Sequence, residues 1–158
     1  MISVVNNFLD NDEFFKIQKL LSSKKFPYFL TQDPKVLVHP IIDKTEYSFF
    51  LESLISKLSE QLKVKTILSS EVYLIIKDKE NLFLNIGKKD PYDISLNDDS
   101  LTSLLYMNSN NGYTQIFGKD KVDPIQNRLF TFSSNISYEE TTPTNEPFKS
   151  VIKLIYSL

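Results

Sequence analysis

Residues 105–114 read LYMNSNNGYT, passing from an apolar run through three asparagines to Gly112 and on into a second apolar stretch. Asparagine and glycine both tolerate positive φ, so Asn-Asn-Gly between apolar runs is a turn signal. The chain holds only three glycines, and two of them, Gly112 and Gly118, flank this second stretch. The local reading is a hairpin joining strands at 101–107, LTSLLYM, and 113–117, YTQIF.

The same two-residue alternation continues outward on both sides. VKTIL (64–68), EVYLII (71–76), LFLNI (82–86), NRLFTF (127–132) and SVIKLIYSL (150–158) are predicted strands, rich in β-branched and aromatic residues. KKDPYDISLNDDS and TTPTNEP between them read as loops. Upstream the period changes. After a short strand at 3–8, Phe14, Ile17, Leu20 and Leu21 recur at helical spacing and predict a helix over 11–23, with Asp10 and Glu13 at capping-box spacing. FPYFL (26–30) is extended, because Pro27 disfavours the helical region for Phe26, and 31–43 is a loop–strand–loop. Asp43 and Glu46 repeat the capping pattern before a second helix over 45–62. Two helices followed by many strands predict one α+β domain spanning 1–158, with helices packed on antiparallel sheet.

Composition narrows the chemistry. The 158 residues are 41% hydrophobic and 24% charged with a formal net charge of −2, which gives no long-range pull toward nucleic acid or an anionic membrane. No apolar run approaches the ~18 residues of a membrane span, and MISVVNNFLDNDEFF lacks the basic start of a signal peptide. Without cysteine there are no disulfides, zinc knuckles or thiol nucleophiles. With one histidine, His39, no mechanism requiring two imidazoles fits within a single chain. His39 in VLVHPIID is expected to be structural, partly buried and bonded to a backbone carbonyl, rather than a lone ligand.

The order of pieces, LYMN, NNGYT, NRLFTFSSN and SVIKLIY, resembles the C-terminal half of the iron(II)- and 2-oxoglutarate-dependent oxygenases, in particular small prolyl-hydroxylase-like members from bacteriophages. The opening NNFLDNDEFFKIQKLL and FPYFL is similar to their start, so the likeness covers nearly the whole chain. It implies a double-stranded β-helix, a jelly-roll barrel, buttressed by two N-terminal helices.

It also implies a site: a His-any-Asp pair before the YLN strand, a second histidine after the F-any-S strand, and a basic residue on the last strand for the far carboxylate of the co-substrate. Asp93 in KKDPYDIS matches the carboxylate, but Pro91 stands where the first histidine belongs. Tyr138 falls at the second histidine position, and Lys149 matches the carboxylate anchor. A tyrosinate ligand must first lose a proton held with a pKa near ~10. The expectation is therefore no catalytic residues, no metal and no resident cofactor, with Lys149 as a vestigial anchor.

Three functions compete: a catalytically degenerate barrel kept as a structural or interaction module, a hydroxylase with altered ligands, and a metal-free carboxylate-binding barrel. For the first, the expected partners are proteins, other virion subunits or further copies of the chain, with no nucleic acid and no membrane. The phage-like resemblance suggests a virion or tail-associated setting, in the virion or the host cytoplasm. Glu139-Glu140 and the acidic 97–100 stretch are expected in solvated loops, and Arg128 in a surface salt bridge.

Overall fold

A computed structural model describes residues 1–41, 51–87, 99–116 and 120–158. Asp93, Pro91, Asp43, Glu46 and Gly118 lie outside them, so the expectations attached to these positions do too.

The strands in chain order are β1 (Ile2–Val5), β2 (Phe29–Leu30), β3 (Val36–Pro40), β4 (Thr66–Ile76), β5 (Phe83–Gly87), β6 (Ser100–Tyr106), β7 (Thr114–Ile116), β8 (Asp120–Val122), β9 (Arg128–Ser133), β10 (Tyr138–Thr141) and β11 (Phe148–Ser157). Helix α1 (Asn11–Leu21) follows β1, and α2 (Glu52–Leu62) precedes β4. The helices are thus not an N-terminal block, since β2 and β3 stand between them. The strands pair antiparallel into a seven-stranded sheet, β1-β9-β6-β11-β4-β3-β2, and a four-stranded sheet, β5-β10-β7-β8. Among the described residues the expected barrel is two separate sheets rather than one closed ring of hydrogen bonds.

Alternation on the long strands explains the layering. On β6, Leu101 and Leu105 join Phe14, Ile17, Leu54, Leu58, Ile152 and Tyr156 in a core between the large sheet and the helices. Leu104 and Tyr106 point the other way, into a second core with Phe130, Phe132, Val151, Ile116 and Tyr138. Every residue of β6 is buried as a result. Leu51, Leu54 and Leu58 are fully buried, and each such leucine contributes about 1.5–3 kcal/mol of transfer free energy.

Several local readings give way to tertiary contacts. VKTIL and EVYLII form one strand, β4, because Ser69 and Ser70 pair with Ile155 and Leu154 of β11 instead of turning. Asp10 caps α1 through backbone alone, without a side-chain bond, and its carboxylate lies 3.7 Å from the Lys57 ammonium. Arg128 donates to Asn6 Oδ1 at 2.7 Å and to the Asp123 carbonyl at 2.9 Å, neutral oxygens rather than the expected salt-bridge partner. The mutual bonds of Asn127 and Leu9 tie the entry of α1 to the start of β9.

The Asn-Asn-Gly turn is not a hairpin. It carries the chain from β6 in the large sheet to β7 in the small one. Gly112 is needed here for closeness: a Cβ would stand 2.8 Å from the Thr141 carbonyl oxygen and 3.1 Å from the Pro143 nitrogen. The crossover is stapled to the segment after β10. Tyr113 N–H donates to Thr141 Oγ1 at 2.7 Å, Asn111 N–H to Asn145 Oδ1 at 2.9 Å, and Thr144 N–H to Asn111 Oδ1 at 2.8 Å. Gly112→Ala therefore forces two backbone segments apart, with an expected cost of about 1–3 kcal/mol in urea unfolding. An unchanged midpoint would remove the close-approach account.

Candidate functional site

β11 is the strand on which to look for interior chemistry. Its sequence FKSVIKLIYS puts Lys149, Val151 and Lys153 on one face, and Val151 belongs to the core between the two sheets. Both lysines therefore point between the sheets.

Lys149 is fully buried and forms an ion pair with Glu140 of β10, whose side chain is also fully buried. The solvated loop expected for Glu139-Glu140 is instead a strand, with Glu140 opposite Thr114 of β7. The Glu140 carboxylate collects donors from two further strands. Tyr73 of β4 donates to Oε1 at 2.9 Å, and Thr114 Oγ1 lies 3.0 Å from each oxygen. Tyr106 Oη and Thr114 Oγ1 are 2.6 Å apart. Because the threonine proton serves the carboxylate, the Tyr106 hydroxyl must donate to Thr114. The Lys149 ammonium also lies 5.6 Å from the Tyr106 ring centroid, a cation–π contact. Every donor here requires an acceptor, so the arrangement fits an ionised Glu140.

A second pair stands four residues along. Lys153 donates to Glu71 at 3.0 Å, directly across from it on β4. Tyr138 is 5% exposed, packs edge-on against Phe132 at 5.0 Å, and its hydroxyl makes no hydrogen bond of ordinary length among the described residues. Lys153 still acts on it electrostatically. Beside these residues opens a cavity of about 710 Å³ lined by Asp33, Val36, Val38, Glu71 and Tyr73.

The electrostatics follow from burial. Burial pushes the Lys149 ammonium down, while the Glu140 carboxylate pulls it back up. Lys153 is also burdened by burial, but Tyr138 and Glu71 raise it overall. Burial pushes the Tyr138 phenol up to about 12, and Tyr73 and Tyr106 rise well above their ordinary value for the same reason, with Glu140 adding to each. A raised folded value means the native state keeps protons that the unfolded chain releases near pH 10. The resulting stability is fully present below that pH and is lost as pH rises toward about 12. An alkaline titration should show Tyr73, Tyr106 and Tyr138 ionising together with loss of the folded circular-dichroism signal. Ionisation of all eight tyrosines near pH 10 with the fold intact would contradict this burial.

Of the positions that the resemblance assigns to iron and to the co-substrate carboxylate, the described ones are Tyr138 and Lys149. Tyr138, at the expected second ligand position, holds its proton more tightly than a free phenol and lies within the field of an ammonium. Among the described residues no three of His, Cys, Asp and Glu stand close enough to share a metal ion. His39, elsewhere, is half-buried with Nδ1 2.6 Å from the Pro27 carbonyl and its ring against Phe26 and Phe29, a structural role. Lys149, the position that the resemblance assigns to a carboxylate anchor, has its charge already met by Glu140.

Comparison with solved structures bears on the fold. HygX of Streptomyces hygroscopicus, solved with nickel and 2-oxoglutarate bound, superposes with a TM-score of 0.73 at 10% identity, covering 99% of this chain and 82% of that one. The chain has the fold of the 2-oxoglutarate and iron(II) oxygenases. A viral collagen prolyl hydroxylase from Paramecium bursaria Chlorella virus-1 gives 0.68 at 11% identity over 99% and 96% of the two chains. A prolyl hydroxylase from Trichoplax adhaerens, solved with a hypoxia-inducible-factor peptide, gives 0.67 at 16% over 99% and 83%. No protein-family model and no curated protein matches the sequence. The jelly roll of these oxygenases thus accounts for the two facing sheets.

Glu140 and Lys153 are the residues that local reading missed. One signal was available: the only charged residues of β11 are Lys149 and Lys153, and two lysines on one face of a largely apolar strand demand internal partners.

Proposed function

We propose that this chain is an oxygenase-fold protein whose interior has been given over to structure, and that it acts as a structural or interaction module without iron or 2-oxoglutarate. The observation that carries this reading is the Glu140–Lys149 pair. A cation suited to a ligand carboxylate is instead neutralised by a carboxylate of the chain, and a second ammonium, paired with Glu71, lies near Tyr138. The absence of imidazole beyond His39 supports the same reading.

Protein partners belong to this proposal, either other proteins or further copies of the chain. The phage-like sequence resemblance is the whole support for a virion or tail-associated setting. The competing hydroxylase reading draws on the fold of the structural neighbours and needs Asp93 as a ligand.

An assay of 2-oxoglutarate decarboxylation with Fe(II), ascorbate and oxygen separates the two. Succinate formation is expected to stay at the level of the protein-free control. Clear turnover that disappears in Asp93→Ala would replace the module with a hydroxylase of altered ligands.

A further inference from the structure

We propose that the cavity between α1 and the helix-side face of the large sheet binds a free amphipathic monocarboxylate. The ligand is a medium-chain alkanoate with a hydroxyl at its far end, its carboxylate at Lys19 and its hydroxyl at Ser150. This site lies on the other face of the sheet from the Glu140–Lys149 pair. Leu74 of β4 and Ser150 of β11 stand directly across from each other and line the cavity. Their neighbours Tyr73 and Lys149 point between the sheets instead, as strand alternation requires.

The cavity measures about 630 Å³, a size that encloses small organic molecules. One wall is α1, where Phe15, Gln18, Lys19 and Ser22 recur at helical spacing. Met107 and Ser150, 1% and 4% exposed, lie deepest. The walls are held without a ligand. Gln18 Nε2 donates to the Met107 carbonyl at 2.6 Å, and the Tyr28 hydroxyl donates to the Leu21 carbonyl at 3.0 Å. Asn108 accepts from Ser150 N–H at 2.9 Å and donates to the Phe148 carbonyl at 2.8 Å.

Two groups in this lining are left over. The Ser150 hydroxyl has no hydrogen-bond partner among the described residues, although its residue is buried. A hydroxyl withheld from water in apolar surroundings favours any ligand that brings it a partner. Lys19 is the one charged residue among the described lining, is exposed, and makes no ion pair among the described residues. Between them the surface is apolar, and Phe15 and Phe148 remain 50% and 36% exposed. A cation at the rim, an apolar passage and a lone hydroxyl at the bottom match the three parts of an ω-hydroxyalkanoate in order.

The test uses methyl NMR of isotope-labelled methionine in the full chain. Met107 reports on the cavity, while Met1, bonded to Ser133 beside β9, is the control. Octanoate, ω-hydroxyoctanoate and octanol are titrated below their micellar range. The Met107 methyl is expected to shift saturably and the Met1 methyl to stay in place. The ω-hydroxy acid should bind about three- to tenfold tighter than octanoate. Ser150→Ala, which removes an unpartnered hydroxyl, should fold as wild type does and abolish that preference. Lys19→Met should weaken both carboxylates about two- to fivefold and leave octanol unchanged.

The proposal is overturned if the Met107 methyl does not respond, or if both methyls drift together without saturation, as in detergent-like coating. It is equally overturned if the hydroxyl preference is absent in wild type or survives in Ser150→Ala. Nothing here rests on the module reading. Turnover of 2-oxoglutarate would end that reading and leave this inference standing; a silent Met107 methyl does the reverse.

Discussion

Lys149→Met should be among the most damaging single substitutions in the interior, with an expected loss of about 3–5 kcal/mol of unfolding free energy. The substituted side chain fills similar volume, so the loss is electrostatic. Glu140 would keep Tyr73 and Thr114 but lose its counter-charge at a fully buried position. Glu140→Gln alone should also destabilise, leaving Lys149 as an unneutralised cation. The double substitution Lys149→Met with Glu140→Gln removes both charges and keeps an amide carbonyl to accept from Tyr73 and Thr114. It should be more stable than either single variant, with a coupling energy of about 2 kcal/mol or more in urea unfolding. Additive losses would mean that the two groups do not act as a pair.

Asn127→Ala should have the next largest effect, roughly 3–5 kcal/mol. Asn127 is 3% exposed and sits at φ 59°, in the left-handed region that alanine enters at a cost. Its side chain accepts from Leu9 N–H at 2.9 Å and donates to the Leu9 carbonyl at 2.7 Å. Its backbone accepts from Phe8 N–H at 2.9 Å and donates to Tyr106 at 2.8 Å. One residue thus joins β9, β6 and the entry of α1. Alanine strands both peptide groups of Leu9 in a buried position. Asn127→Gly, which relieves the backbone conformation but not the lost bonds, should recover about 1 kcal/mol of the loss. A neutral Asn127→Ala would show that the α1 entry is held by apolar contacts alone.

The legible parts of the fold are those whose signal repeats along the chain. LTSLLYM, NRLFTF and SVIKLIYSL carry enough alternation to be read as β6, β9 and β11. Phe14, Ile17 and Leu21 carry enough helical spacing to give α1. β10 was not legible, because YEET has the composition of a loop and becomes a strand only by pairing with β5 and β7. Asn-Asn-Gly has the local signature of a hairpin, but a turn signal reports backbone freedom, not which sheet receives the next strand. Lys149 was found through the family resemblance, as the basic residue on the last strand. Glu140, nine residues before it, was not, since nothing local distinguishes an inward carboxylate from a solvated one.

The sequence alone determined the residue inventory: no cysteine, one histidine, and therefore no two-imidazole metal centre within the chain. It also determined the segments with strand and helix periodicity, because periodicity is a property of neighbours a few residues apart. Only the tertiary structure decided that Glu140 and Lys149 meet, and that Tyr73, Tyr106 and Thr114 close around them. Those contacts join strands from both sheets. The charge state of such a cluster depends on excluded water and on partners tens of residues away, neither of which is written in any short stretch of chain.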